Sequence, residues 1–383
     1  MKGKLFQSTI TGAVLIGITA LIYLYTSGYR ISKETSRPID FKQTGMINVK
    51  SIPDGASVYV NDVLKAATNN SIPSLNPGTY KLKIVKSGFI PWEKDIEVFQ
   101  ELVTDITAVL VSGSPSFEPL TNTGARYPVV SPSLSKLAYF TNDLNAPGIW
   151  IIPLTQSGIN LFKSTPSIAI ENTARTLFSL GKSIEWSPDE TELLVQDDKD
   201  IYHLIDIETR TSQTTESPDT IRERWLSELL KKREDFIQKI DISDDFAQMA
   251  KSIDSLWSPD GKKFMYIQEN GDQLEYKTYN MEKPLPIGEK KDTLVFTIDK
   301  NSPQPIISWY ADSYHLILVE NYDQESKSGS IYLVRIDGSN KTLLYSGKLY
   351  SSNVYSAPSG DKIIILTSFK SDEEVNLYTI GIR

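Results

Sequence analysis

One turn sequence recurs along this chain of 383 residues and limits what it can fold into. Trp186-Ser187-Pro188-Asp189 precedes the apolar run 192–195, and Trp257-Ser258-Pro259-Asp260-Gly261 precedes 263–267. Weaker copies are Ser131-Pro132-Ser133 before 136–140, Trp309-Tyr310-Ala311-Asp312 before 315–319, and Ala357-Pro358-Ser359-Gly360 before 362–366. Copies at roughly 50-residue intervals, one of them stretched, define a repeat architecture, and four-stranded units of that size are propeller blades. Five anchors predict five blades, and the stretch between Thr209 and Ser255 has room for a degenerate sixth.

The turn has a mechanical reading. Pro188 and Pro259 preset φ, the Asp side chain accepts backbone N–H groups, and Gly261 accepts a left-handed backbone. Asp189, Asp260 and Asp312 therefore read as turn formers; a calcium loop would show denser, alternating carboxylates. Trp186, Trp257 and Trp309 end apolar strands, where they can pack between neighbouring blades. The last unit, 362–367 and 375–382, ends without an outer strand, whereas Phe117-Glu118-Pro119-Leu120 is a spare one ahead of the first unit. The early strand is expected to complete the last blade, which removes an open edge. Leu161-Phe162 and Leu343-Leu344 occupy the outer-strand place in their own units.

The start of the chain is different. Lys2 and Lys4 precede an uncharged run from Leu5 to Tyr29, roughly 25 residues and long enough to cross a bilayer core. Tyr23, Tyr25 and Tyr29 sit where an interfacial aromatic belt would lie. The alternative is a cleaved signal peptide, for which Tyr25-Thr26-Ser27-Gly28 is a poor cleavage site. Residues 1–31 thus read as a short cytoplasmic tail and a single-pass anchor. Residues 32–43 read as a polar linker. The remainder reads as an extracytoplasmic body.

Between 44 and 111, period-2 runs are bounded by Pro, Gly and Asn, which argues for a small antiparallel sandwich. Tyr59, Tyr80, Phe89 and Trp92 are the expected core aromatics. Pro53-Asp54-Gly55-Ala56 lies among Gly45-Met46-Ile47-Asn48-Val49, Leu75-Asn76-Pro77-Gly78-Thr79-Tyr80 and Lys86-Ser87-Gly88-Phe89-Ile90-Pro91-Trp92. As a set these resemble the PEGA domain, with Asp54 in place of Glu. Ala66-Ala67-Thr68-Asn69-Asn70 departs from the family pattern of a Gly and a Thr-Pro pair. The resemblance implies an envelope-associated binding or spacer module without catalytic residues.

Residues 112–383, with their Trp-Ser-Pro-Asp-Gly turns, resemble the TolB-like propellers. That resemblance implies architecture and is nearly silent on function; similar propellers bind partner proteins in bacterial envelopes or precede a peptidase domain, and a following hydrolase domain is not expected here. Inside this region, 219–253 reads as a helical insertion. Ile221, Trp225, Leu229 or Leu230, Phe236 and Ile237 recur at helical spacing, opposite Arg222, Glu223, Lys231, Lys232, Arg233 and Glu234. It is expected either to pack on a blade rim or to serve as a docking helix for a partner through Trp225, Leu229 and Phe236.

Chemistry is hard to find. The formal charge of −8 disfavours a phosphate backbone, so nucleic acid is not an expected partner. There is no Cys, which removes thiolate nucleophiles and Cys-based zinc sites. The two His, His203 and His315, sit at what read as comparable positions of repeat strands and are expected to be packing residues. Asp197-Asp198 and Asp244-Asp245 read as solvated loop charges. No nucleophile elbow, zincin motif, phosphate loop or dinucleotide fingerprint appears. Catalytic, cofactor and metal residues are expected to be none. The reading is an all-β protein: a transmembrane helix, a PEGA-like sandwich and a propeller of five or six blades. Its expected role is non-catalytic binding or scaffolding of an envelope protein or surface polysaccharide. A carbohydrate-active propeller enzyme is the alternative. A propeller-headed sensor is the third, disfavoured by the tiny tail Met1–Lys4.

Overall fold

The computed structural model describes residues 2–26, 29–32, 40–154, 166–369 and 374–383, with side chains from 10–23 and from 43 onward. Leu161 and Phe162, expected in an outer strand, lie outside the described residues. The chain divides into two compact units, Met1–Leu110 with Pro284–Glu289, and Val111–Lys283 with Lys290–Arg383.

In the first unit, helix α1 spans Lys2–Thr26. Of its described side chains, Ile10, Val14, Leu15, Ile16, Ile18, Leu21, Ile22 and Tyr23 are all exposed. Among the described residues, no helix is long and apolar enough to cross a membrane; within α1 only residues 10–23 have described side chains, so the span expected from Leu5 to Tyr29 lies partly outside them. Tyr29–Ser32, at the end of the segment read as the anchor, pairs antiparallel with Asp40–Gln43 of the segment read as a linker.

Residues 44–111 fold as two sheets. One orders Asn70–Leu75, Gly45–Ile52 and Val103–Val109; the other orders Val63–Ala67, Ser57–Val60, Gly78–Val85 and Trp92–Val98. Gly45–Ile52 buries alternate residues, so Ile47 and Val49 face the core. The expectation of an antiparallel sandwich needs correction, because Gly45–Ile52 pairs in parallel with Val103–Val109 over seven positions, from Met46↔Val103 to Ile52↔Val109. Period-2 alternation reports which face is buried; it carries nothing about the direction of the neighbouring strand. The core is also more aliphatic than expected. Ile47, Val58, Leu82, Ile84, Ile96 and Trp92 form it, Tyr80 and Phe89 pack on its margin, and Tyr59 is half-buried.

The second unit holds five four-stranded antiparallel sheets among the described residues, a propeller-like arrangement. From the inner strand outward they are Arg126–Val130, Lys136–Thr141, Gly148–Pro153 and Ser167–Glu171; Ser183–Trp186, Glu192–Gln196, Tyr202–Asp206 and Thr211–Thr215; Leu256–Trp257, Lys263–Asn270, Gln273–Asn280 and Asp292–Asp299; Ile306–Trp309, His315–Asp323, Ser328–Arg335 and Thr342–Lys348; and Tyr355–Ser356, Lys362–Thr367, Asn376–Gly381 and Phe117–Pro119. Leu343 and Leu344 fall in the outer strand of the fourth sheet, as their place in the repeat suggests. The last sheet is completed by the early strand, with Phe117↔Ile380 and Pro119↔Tyr378 in register. Glu118 binds Lys362 at 2.6 Å across that closure.

Adjacent sheets share apolar clusters. Phe140, Ile149 and Ile151 of the first sheet pack with Ile184, Trp186, Leu193 and Val195 of the second. Met265 and Tyr276 of the third meet Trp309, Leu316 and Leu318 of the fourth. Ile364, Leu366 and Leu377 of the fifth meet Leu137, Tyr139 and Ile152 of the first. The stretched repeat interval is filled by helix α2, Pro218–Ile237, and helix α3, Asp244–Lys251. Pro218 opens α2 without losing a helical hydrogen bond, and Asp219 lies at its positive end.

Candidate functional site

The five turns share one geometry. In each, the fourth residue donates its N–H to the carbonyl of the first at 2.9–3.1 Å: Leu134 to Ser131, Glu190 to Ser187, Gly261 to Ser258, Ser313 to Tyr310 and Gly360 to Ala357. The carboxylates sit inside the turns. Asp189 accepts from the Ser187 hydroxyl and the Thr191 N–H, Asp260 from the Ser258 hydroxyl and the Lys262 N–H, and Asp312 from the N–H groups of Tyr314 and His315. The Ser187 hydroxyl holds the Asp189 carboxyl below its ordinary value. Burial would raise Asp312, but His315 beside it and those two N–H groups bring it below the usual range. The turns also bind one another: the Ser133 N–H donates to Glu190, that of Asp260 to Ser313, and that of Ala311 to Ser356. These bonds tie the first turn to the second, the third to the fourth, and the fourth to the inner strand of the fifth sheet.

In the first unit, Pro53-Asp54-Gly55-Ala56 is likewise a structural turn. Gly55 has φ 71°, Ala56 is buried, and the Lys86 ammonium donates to the Asp54 carbonyl at 2.7 Å. The Thr68 hydroxyl accepts the Ala56 N–H at 2.9 Å, so the stretch that departs from the family pattern still clasps the motif.

The two His need a correction. They do not occupy comparable positions: His203 is on the third strand of its sheet and His315 on the second strand of another. Each is buried and paired with a carboxylate, His203 with Asp197 at 3.0 Å and His315 with Asp312 at 2.7 Å. Asp197 is therefore no solvated loop charge. It is buried and also accepts the N–H groups of Lys199 and Ile201. Asp244 and Asp245 lie in the first turn of α3, where the helix dipole favours them.

Trp225 and Phe236 of α2 turn toward the ring. Trp225 is buried with its indole N–H on Glu192 at 3.2 Å, Phe236 meets Trp257 edge-on at 5.7 Å, and Leu229 is half-buried. The outward face carries Glu223, Glu228 and Lys231.

A cleft that no repeat motif announces lies where the first and fifth sheets meet. Its volume is about 540 Å³, inside the range of roughly 300–1,000 Å³ usual for small-ligand sites. The segment entering the inner strand of the first sheet supplies Thr121, Asn122, Thr123 and Arg126; the end of Lys136–Thr141 supplies Phe140 and Asn142; the other wall supplies Glu374, Asn376 and Tyr378. The floor is rigid. Asn376 Oδ1 accepts the Thr121 hydroxyl and the Gly124 N–H, both at 3.0 Å, and Ala125 N–H donates to Val375 O at 2.9 Å. Gly181 packs under Phe140, where a Cβ would fall 2.4 Å from the ring.

Beside the cleft the inner strand is strained. Its register with Lys136–Thr141 slips between Arg126 and Val129. Tyr127, ahead of Pro128, has φ 47°, a left-handed value that a bulky residue before proline strongly disfavours. Tyr127 is 51% exposed, its ring edge-on to Phe140 at 6.2 Å and the Arg126 guanidinium 5.4 Å from its centroid. Among the described residues, no group of three or more His, Cys, Asp or Glu is placed to hold a metal ion.

The molecule is thus a small two-sheet β domain joined to a propeller-like unit of four-stranded sheets. Residues 44–114 match the PEGA domain family. Solved structures similar to the chain are TolB of Acinetobacter baumannii (14% identity, 79% of this chain and 59% of that one, TM-score 0.27) and a putative TolB of Agrobacterium tumefaciens (15%, 67% and 72%, TM-score 0.24). A third is the oligogalacturonate lyase of Vibrio parahaemolyticus (8%, 70% and 97%, TM-score 0.30). The chain spans less than two thirds of the Acinetobacter protein. No curated protein sequence matches it. The propeller reading rests on the strand pairing.

Proposed function

We propose that the protein is a membrane-anchored, non-catalytic binding module of the cell envelope, held by α1 and presenting a rigid propeller-like head outside the cytoplasm. The observation that carries the anchor is the apolar surface of α1, whose eight large apolar side chains named above are exposed. The helix has 25 residues, which at about 1.5 Å each exceeds a hydrocarbon core of about 30 Å. The PEGA match supports an envelope setting. Non-catalytic binding is supported by where the carboxylates and imidazoles lie: Asp189, Asp260, Asp312, His203 and His315 are all used within turns or buried pairs. Loops on a rigid scaffold suit contact recognition.

Fractionation tests the anchor. The full chain should stay with membranes through carbonate extraction, and added protease should degrade the body in cells whose outer layers are permeabilised. Recovery of the full chain in the soluble fraction refutes the anchor. Protection of the body from protease refutes the orientation.

A further inference from the structure

We propose that the cleft between the first and fifth sheets binds a neutral saccharide. The inference rests on the binding-module reading and names the class of ligand. The lining carries amides and hydroxyls: Thr121, Thr141 and Asn376 are buried and hydrogen-bonded within the floor, and Asn122, Thr123 and Asn142 are exposed to a ligand. An amide offers donors and an acceptor on one planar group. Sugar hydroxyls are each donor and acceptor, and adjacent ones are spaced to meet such a group twice. The half-buried Tyr378 also lines the cleft and offers apolar ring surface to the C–H face of a sugar, while the wholly buried Phe140 backs the wall.

Charge decides between neutral and acidic ligands. Arg126 and Glu374 both line the cleft, so its fixed charges are of opposite sign. The chain as a whole carries −8, which repels polyanions. A peptide is the weaker fit, since Phe140, Val375 and Ala125 are the lining's apolar side chains beside Tyr378 and Pro119, too few for alternating apolar anchors.

The backbone next to the cleft gives a separate reason to place a function here. The Arg126–Val129 slip and the left-handed Tyr127 bring Arg126 to the cleft wall and turn an aromatic ring toward solvent. Strain of about 1–3 kcal/mol at one residue persists where surrounding structure holds it, and such residues gather at ligand sites. Here the holding structure is the Asn376 clasp and the Gly181–Phe140 contact.

The test uses the full chain in a detergent without a sugar headgroup, probed on an array of immobilised neutral glycans, with titration calorimetry of the best soluble trisaccharide. Binding is expected, with about tenfold weakening in Asn142→Ala and again in Arg126→Lys, at unchanged thermal midpoint. Asn142 is exposed, so its variant separates recognition from folding. Absence of binding to every neutral glycan overturns the proposal, as does binding that both variants leave intact. Chromatography of the bound glycan separates the two readings. Shortened or unsaturated products would refute the non-catalytic module while leaving the saccharide site in place. Binding of a protein alone would refute the saccharide and leave the module.

Discussion

The boundary between the second and third sheets is built differently from the boundaries on either side. At the first–second boundary the Trp186 indole N–H donates to Val129 O of the neighbouring inner strand at 3.0 Å. At the third–fourth boundary Trp309 donates to Leu256 O in the same way at 2.9 Å. Trp257 has the same place in the repeat, yet its N–H donates to Ala250 O of α3 at 2.8 Å. The helical pair has taken the position of a strand. It reaches the second sheet through Arg222 on Glu185 and Arg224 on Glu192, and the third through Ile237 and Ala250 packed on Phe264, Tyr266 and Tyr279. The repeat motif therefore specifies a turn and a donor. It leaves the identity of the acceptor open.

The largest effect should come from removing the helices. Replacing 217–254 with a short Gly/Ser linker would uncover Phe264, Tyr266, Tyr279 and Met281, now buried under α2 and α3. Each aromatic among them buries roughly 150–250 Å². Loss of cooperative unfolding and strong binding of a hydrophobic dye are expected. A soluble variant with the parent thermal midpoint would break the comparison, because the two sheets would then hold without the helices.

The third–fourth boundary supplies the next test. Lys263 is wholly buried there, with Asp260 at 3.1 Å, Glu282 at 2.9 Å and the Tyr314 ring 4.1 Å away. Tyr314 of the fourth sheet donates to Glu282 at 2.6 Å. Burial would raise the Glu282 carboxyl, and Tyr314 and Lys263 hold it below its ordinary value. Removing one partner of a buried pair costs about 3–5 kcal/mol, and the remaining Asp260 places Glu282→Ala near about 3 kcal/mol. Urea unfolding measures this. A loss below about 1 kcal/mol would mean that the cluster is solvated and the boundary is apolar like the others.

Much of this was legible beforehand, for identifiable reasons. The turns announce themselves because Pro, Asp and Gly act within four residues, and Phe117–Pro119 could be matched to the last sheet by counting strands. The third sheet's hairpin closes on Asn270↔Gln273, with Gly271, at φ 60°, and Asp272 as its two-residue tip, for the same local reason. What sequence did not show depends on distant partners. The parallel pairing of Gly45–Ile52 with Val103–Val109 leaves no period of its own. The burial of Asp197 depends on His203 across a turn. The cleft is assembled from Thr121–Arg126, Asn142 and Asn376, which share no motif; the only local signal is a run of small polar residues ahead of a Tyr-Pro pair.

A finer comparison concerns the indoles. Trp257→Phe and Trp309→Phe each remove one N–H donor and part of the ring volume, for about 1–3 kcal/mol. Their consequences should differ in place. Loss of the Ala250 contact should speed amide exchange in Asp244–Lys251 by up to about tenfold, whereas Trp309→Phe should leave that helix unchanged and loosen Leu256–Trp257. Equal exchange in α3 for both variants would show that the helix is held by its apolar face alone.

The smallest effect separates backbone from side chain within the turns themselves. The fourth position is left-handed in all five, with φ 60° at Leu134, 63° at Glu190, 67° at Gly261, 59° at Ser313 and 60° at Gly360. Only two of these are glycine, so the turn geometry does not depend on the residue that suits it best. An L-residue there costs roughly 1–2 kcal/mol, and glycine returns about 0.5–1 kcal/mol of that through its freer unfolded chain. Leu134→Gly should therefore stabilise by about 0.5–1 kcal/mol, and Gly261→Ala should destabilise by a similar amount. At Gly261 a Cβ would meet nothing within 4 Å, so that variant reads the backbone alone. A neutral Gly261→Ala would mean that the turn relaxes in solution. A destabilising Leu134→Gly would mean that the Leu134 side chain packs well enough to offset its strain, making the first turn a contact in its own right.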